Sequence, residues 1–406
     1  MVDLKNRFEM EIEAVNELQG IMIKPQYQVF KPACTGTFEK QWKSCFDDFQ
    51  SSLTNHPNQK AFIVRVFVDA ENSQQFLQYS EQIKQTFSKT NIPFSILAES
   101  PEKPNLVIIE AGFVNAENIK VEYGHANLLR FCKLSTSGYS EFWFAGITGD
   151  LKENTLYDSA KSAFRQLLTT FMELELGFNQ IVRQWNYVEQ IFGIEQIDHQ
   201  KRQNYQLFNE ARGEYYSRYR TAPDFPSATG IGVDFNGVTI ECMAVAGDAK
   251  LKIVAINNPQ QLNSYKYGQN VLKGEPLKNR TSNQPPQFER AKLMTNGLFS
   301  KVFISGTASI VGQETIGLND VEEQTRVTIE NIELLTSESN LKLHCPELAV
   351  IPDKYVYVRV YVKNEEDIPS VKAICRQHFG EIPMTIVKAD ICRAELLVEI
   401  EAEKVS

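Results

Sequence analysis

One carboxyl group stands alone at a position where its counterparts in the same chain are inert. Three short strand-like segments share an ending: NLVIIEA, GVTIECM and LLVEIEA, which align on Glu110, Glu241 and Glu401. Two residues before those glutamates stand Ile108, Thr239 and Glu399. Alternate residues of a strand share a face, so the three positions look toward equivalent places. Only Glu399 among them carries an acid. This favours a single working site that uses Glu399, built by the third copy against the second, the other positions being kept for architecture. The alternative is a solvated strand acid beside Glu401. A solvated Glu titrates near ~4.3, so a Glu that is to donate a proton at neutrality needs a dry site. Leu397 and Ile400 are expected to exclude water from it.

Metal chemistry is not expected. The five histidines are scattered without ligand spacing, and the seven cysteines form no CxxC pair. Their odd number and wide spacing fit free thiols in a reducing compartment. No cofactor is implied. The net charge is −9 and no Lys/Arg block appears, so nucleic acid is not an expected partner. An anionic substrate must then be held by a few placed arginines. No apolar run reaches the ~18 residues of a membrane span. The opening MVDLKNRFEMEIEAV is charged throughout and does not read as a secretory leader, so a cytoplasmic location is expected.

The elements that must position these residues are repeated. With 406 residues, 42% hydrophobic and 23% charged, the chain has an ordinary globular composition and room for two to three domains. AFIVRVFV, IVRQWNYV and YVYVRVYV are alternating strands, each with an arginine inside: Arg65, Arg183 and Arg359. Each leads to a helical segment and then to a closing pair of strands. EFWFAGITGD and KVFISGTASIVG match as upstream strands of the second and third copies, and capped helices follow both. The first copy has no recognisable upstream half, unless residues 1–60 form a degenerate one. The division expected is a degenerate first module with an extension at 1–115, a middle module at 116–254, a long loop or lid at 255–297, and a third module at 298–406 that carries the acid. The fold class is α+β, with mixed sheets and helices on one face. The loop is rich in Asn, Gln, Pro and Tyr; an ordered lid is favoured over a mobile linker. The EFWF cluster and Trp185 read as structural.

FISG (Phe303–Gly306), DVEEQTRVTIENI (Asp320–Ile332) and VEIEA (Val398–Ala402) make the third module resemble a RidA/YjgF-family domain, of the chorismate mutase-like fold. VRQWNYVEQIF, YQLFNEARGEYY, FPSATGIG, NPQQLNSYKY, PQFERA and SGTASI, in that order, resemble the chorismatases, RidA-like enzymes that cleave chorismate. The resemblance spans about residues 140–403 and leaves the first sixty outside.

That resemblance implies loss of the enolpyruvyl group of chorismate as pyruvate, without metal or cofactor. It makes Glu399 the general acid that protonates the terminal carbon of the enol ether. It places a cysteine at Cys392 and a glycine at Gly306 in the branch that makes 3-hydroxybenzoate, where the branch making a dihydroxycyclohexadiene carboxylate has alanine at both. Chorismate is a dicarboxylate, and guanidinium groups bind carboxylates in a planar, bidentate way. Arg212 and Arg290 are the candidates, with Arg183 and Arg393 weaker. Tyr265 and Tyr267 are candidates for hydroxyl and ring contacts. Ser305, Gly306 and Thr307 mark a close backbone approach. The rival readings are 4-hydroxybenzoate as product, a RidA-type imine deaminase, and a non-catalytic ligand-binding protein. The arginine that a deaminase of this kind uses is missing from the turn Pro383–Ile386. A monomer with an internal pseudo-threefold is expected, a trimer being the alternative.

Overall fold

The computed structural model describes residues 22–149, 155–197, 199–247, 250–277 and 280–406. The opening segment read for a leader lies outside the described residues.

Three modules share one plan. The first runs β1 (Gln26–Phe30), α1 (Phe38–Asn55), β2 (Gln59–Val68), α2 (Ser73–Phe87), β3 (Phe94–Leu97) and β4 (Val107–Asn115). The second runs β5 (Lys120–Ala126), β6 (Leu129–Ser135), β7 (Tyr139–Thr148), α3 (Leu156–Glu173), β8 (Ile181–Glu189), α4 (Asn204–Tyr219), β9 (Ser227–Val233) and β10 (Val238–Gly247). The third comprises β11 (Lys252–Ile256), β12 (Ala291–Thr295), β13 (Ser300–Ala308), α5 (Val321–Thr336), α6 (Glu338–His344), β14 (Lys354–Val362), α7 (Ile368–Phe379), β15 (Met384–Lys388) and β16 (Val398–Val405). The sheet orders are β3-β2-β4-β1, β9-β8-β10-β7-β6-β5 and β15-β14-β16-β13-β12-β11, the last extended beyond β15 by Ser100–Pro101 of the first module. In each sheet the first two strands pair in parallel and the others antiparallel. The first module is this plan with two strands fewer. Its β1 and α1 are the degenerate upstream half.

The third sheet begins earlier than residue 298. KIVAI and AKLMT pair with each other and with β13, so the loop proper is 257–290. Both strands are five residues long. An alternation that short, on either side of a Pro- and Asn-rich stretch, is hard to read as strand.

Alternation explains how the modules assemble. One face of each sheet packs on its own helices. In β16 that face is Val398, Ile400 and Ala402, which join a core with Ile329, Ile332 and Leu335 of α5. The other faces of all three sheets meet in a shared core that holds Phe62, Trp143, Trp185, Tyr187, Tyr357 and Tyr361. Glu399, Glu401 and Glu403 lie on that inward face.

Buried ions link the three modules at this junction. Arg65 donates to Glu110 of its own sheet (3.0 Å) and to Glu241 of the second module (2.7 Å). Arg183 donates to Glu401 of the third (2.8 Å). Arg359 donates to Glu401 of its own sheet (2.5 Å) and to Glu110 of the first (3.1 Å), which closes the ring. Burial pushes Glu110 up, but Arg359 and then Arg65 outweigh it and hold its carboxyl at about 2.

The sequence alignment of the three arginines slips by two residues in the middle module. Arg65 pairs with Glu110 and Arg359 with Glu401, but the partner of Glu241 is Trp185. Trp185 donates its indole N–H to Glu401 (2.8 Å), and the guanidinium groups of Arg65 and Arg183 lie 4.6 and 4.5 Å from its ring centre. A two-residue slip keeps the face, so alternation could not reveal it.

Candidate active site

A cavity of about 390 Å³ opens between the second and third modules, within the size range of ligand pockets. Its floor is strand. Ala228 and Gly230 of β9 come from one side; Gly306 and Ala308 of β13 and Glu399 of β16 come from the other. Its wall is α4, through Tyr205, Gln206 and Asn209. The long loop covers it with Tyr267, Asn270, Val271, Leu272, Lys273, Phe288 and Arg290, and Cys392 and Arg393 close the end.

The loop is strapped to α4. Arg280 pairs with Glu210 (2.6 Å) and Glu214 (3.4 Å), the backbone of Gln284 donates to Glu210 (2.7 Å), and Gln206 donates to the Gln284 carbonyl (2.9 Å). This explains the composition of α4. Its polar residues Gln206, Asn209, Glu210 and Arg212 are buried because the loop covers the side that would otherwise face water.

Glu399 is 4% exposed. Burial, and then the neighbouring Glu401, push its carboxyl up to about 8 against the opposing pull of Arg183 and Arg290. It therefore holds its proton at neutral pH. Ile400 takes no part in drying it, because that side chain points the other way into the helix-side core. The drying comes from the loop and α4. Gly306 leaves room for the acid: a Cβ there would stand 2.0 Å from a Glu399 carboxyl oxygen. Its backbone N–H donates to the Thr229 hydroxyl across the module boundary (3.0 Å).

Cys392 lies in the β15–β16 connection and not on a strand. An isolated bridge between Ile391 and Ile231 and a bond from Gly232 N to the Asp390 carbonyl (2.8 Å) fix it against the second module. Burial and the nearby Glu399 push its thiol up to about 12, so it is a neutral thiol in the working range.

Arg290 donates to the Tyr267 hydroxyl (2.7 Å) and to the Leu262 carbonyl (2.6 Å). Arg393 donates to the Gln313 carbonyl (2.6 Å), and its guanidinium lies 5.2 Å from the Tyr267 ring centre. The Nε of Arg290, the Nη2 of Arg393 and the Nδ2 of Asn209 are buried and find no partner among the described residues. Unpaired buried donors in the wall of a cavity fit an anionic ligand.

Of the residues singled out from sequence, Glu399, Cys392, Arg290, Tyr267 and Gly306 meet at this cavity, with Arg393. The others stand behind the wall. Arg212 donates to the Asn209 side chain (2.6 Å) and lies 5.1 Å from the Phe208 ring centre. Tyr265 packs on Phe225 and accepts from Asn263. The Ser305 hydroxyl donates to the Glu289 carbonyl (2.6 Å), and Thr307 donates to the Ser305 carbonyl (2.9 Å). Arg183 belongs to the central ring. Sequence reading missed Tyr205, Gln206 and Asn209; the available signal was a helix too polar for a half-buried one, preceding a long loop.

A three-module chain with a buried acid in the cleft between its second and third modules is thereby defined. A family model described as "Chorismatase FkbO/Hyg5-like, N-terminal" matches residues 120–244, the second module. A 3-hydroxybenzoate synthase of Streptomyces hygroscopicus is 33% identical over 247 residues, 59% of this chain and 68% of the relative. A chorismatase of Streptomyces rapamycinicus is 33% identical over 231 residues, 56% of this chain and 64% of the relative. A chorismatase crystal structure superposes with a TM-score of 0.66 over 95% of this chain and all of that one, at 19% identity, which bears on the fold alone. The chain belongs to the chorismatase family. No described helix is long and apolar enough to cross a membrane.

Proposed function

We propose that this chain cleaves chorismate to pyruvate and a hydroxybenzoate, 3-hydroxybenzoate being favoured. The observation that supports this most is the buried carboxyl of Glu399, raised to about 8, in a cavity whose arginines have buried donors to spare. Arg290 and Arg393 take the two carboxylates. Glu399 delivers its proton to the terminal CH₂ of the enol ether; the ring C3–O bond then breaks with its electron pair becoming the carbonyl of pyruvate. The C4 hydroxyl oxygen closes on C3 and returns its proton to the Glu399 carboxylate. Opening of that epoxide at C4, with transfer of the C3 hydrogen to oxygen, leaves 3-hydroxybenzoate. Chorismate has the atoms of pyruvate plus a hydroxybenzoate, so this route consumes no net water. The diene-diol route consumes one. A site shielded by loop and helix is consistent with the first. Incubation with chorismate, followed by chromatography, should give pyruvate and 3-hydroxybenzoate in equal amounts. No pyruvate release would end the proposal.

The pH dependence has a definite sign. The reacting form of Glu399 is the protonated one, so kcat/KM should fall as pH rises through about 8. A rate that fell instead as pH dropped from 8 to 6 would make Glu399 a base.

Cys392 and Gly306 bear on the product. Cys392→Ala opens space for water beside the ring, and Gly306→Ala forces the Glu399 carboxyl to move. The double variant should shift the product toward the dihydroxycyclohexadiene carboxylate. An unchanged product ratio would remove both residues from product control.

A further inference from the structure

A second cleft, of about 660 Å³, lies between the first and second modules. It is the pseudo-symmetric counterpart of the acid-bearing one. Thr239 pairs with Thr148 as Glu399 pairs with Ala308. Phe131 pairs with Phe144 as Ala291 pairs with Ile304, so Arg130 stands where Arg290 stands. The backbone N–H of Gly146 donates to the Ser95 hydroxyl (2.8 Å) as that of Gly306 donates to Thr229. Ala228 and Gly230 are matched by Phe94 and Ile96, which line the second cleft.

This cleft keeps the cation and loses the acid. The hydroxyls of Thr239 and Thr148 are 3.1 Å apart and bond each other, so nothing here can protonate a vinylic carbon. Arg130 gives one Nη1 bond to the Phe87 carbonyl (3.1 Å), and its guanidinium lies 5.4 Å from the Phe94 ring centre. A guanidinium has five N–H donors, which leaves capacity for a carboxylate. Around it the lining is mixed: Phe94 and Ile96 inside, Leu77 and Leu128 at the mouth, and Ser80, Lys84, Thr148 and Asn236 as the polar part, with Lys84 a second cation. Leu77 and Leu128, 46% and 97% exposed, give the mouth an apolar edge beside the guanidinium.

We propose that this second cleft is a non-catalytic binding site for a small aromatic monocarboxylate. The carboxylate pairs with Arg130, and the ring lies against Phe94 and Leu128. The inference stands apart from the proposed reaction. Failure to cleave chorismate would leave it intact, and absence of the site would not touch turnover.

The test is ¹⁹F NMR of the full chain with 3-fluorobenzoate. Two bound environments are expected, one at each cleft. Arg130→Met should remove one and keep the other. Leu128→Asp, at a position too exposed to threaten folding, should weaken the same one about tenfold through lost apolar contact and repulsion of the carboxylate. Arg290→Met should affect only the other environment. A single bound environment, or two that neither Arg130→Met nor Leu128→Asp moves, would overturn the proposal. So would equal binding of 3-fluorobenzyl alcohol, which has the ring and lacks the carboxylate.

Discussion

Glu399→Gln should reduce pyruvate release by about 10²–10⁴-fold, the usual share of a positioned general acid. The substitution is a clean one. Glu399 is raised to about 8 and is neutral at pH 7, so the amide changes neither charge nor shape there. Nothing in the central ring depends on it. The fold and chorismate binding should therefore survive, with the loss confined to kcat. Any residual rate should also lose its decline above pH 8, because the group responsible for that decline is gone. A variant that kept near-full activity would transfer the acid role to another group of the cavity. One that failed to bind chorismate would mean that Glu399 holds substrate and does not protonate it.

The residues singled out from sequence that reach the cavity share a property: their local pattern already fixes the direction in which they point. Strand alternation put Glu399 and Glu401 on one face. The repeat then showed that Glu399 has no acidic counterpart. Gly306 was legible because a glycine in a strand marks a close approach. What stayed hidden depended on contacts between segments far apart in the chain. Asn209 and Gln206 were missed because the loop that buries them is some seventy residues away. Ile400 read as a wall of the site through its nearness to Glu399 in sequence, though neighbours on a strand point to opposite faces. Arg212 carries the right charge for a dicarboxylate, yet it sits one shell back and braces Asn209. Tyr265 and Tyr267 flank one turn, and only the second reaches the cavity. In these cases residue type was informative and direction was not.

Arg359→Met should be the most damaging single change to stability, about 3–5 kcal/mol, the range for removing one partner of a buried ion network. Arg359 bridges Glu110 of the first module and Glu401 of the third, so its loss leaves two buried carboxylates short of a cation. The effect should depend on pH. Glu110 is held at about 2 against an ordinary value of 4.5, so it contributes stability above about 4.5 that fades as pH falls toward 2. Without Arg359 the depression shrinks, and the variant should lose most relative to the parent near neutrality and least in acid. Denaturant midpoints at several pH values would check this. Pairing the change with Glu110→Gln separates the causes. If uncompensated charge dominates, the double variant should recover part of the loss; if lost packing dominates, it should be less stable still. Recovery would also bear on the active site, because the same ring seats Glu401, whose charge is the second cause raising Glu399. Leaving Glu401 short of a cation should therefore raise the pH at which activity declines, even though Arg359 does not line the cavity.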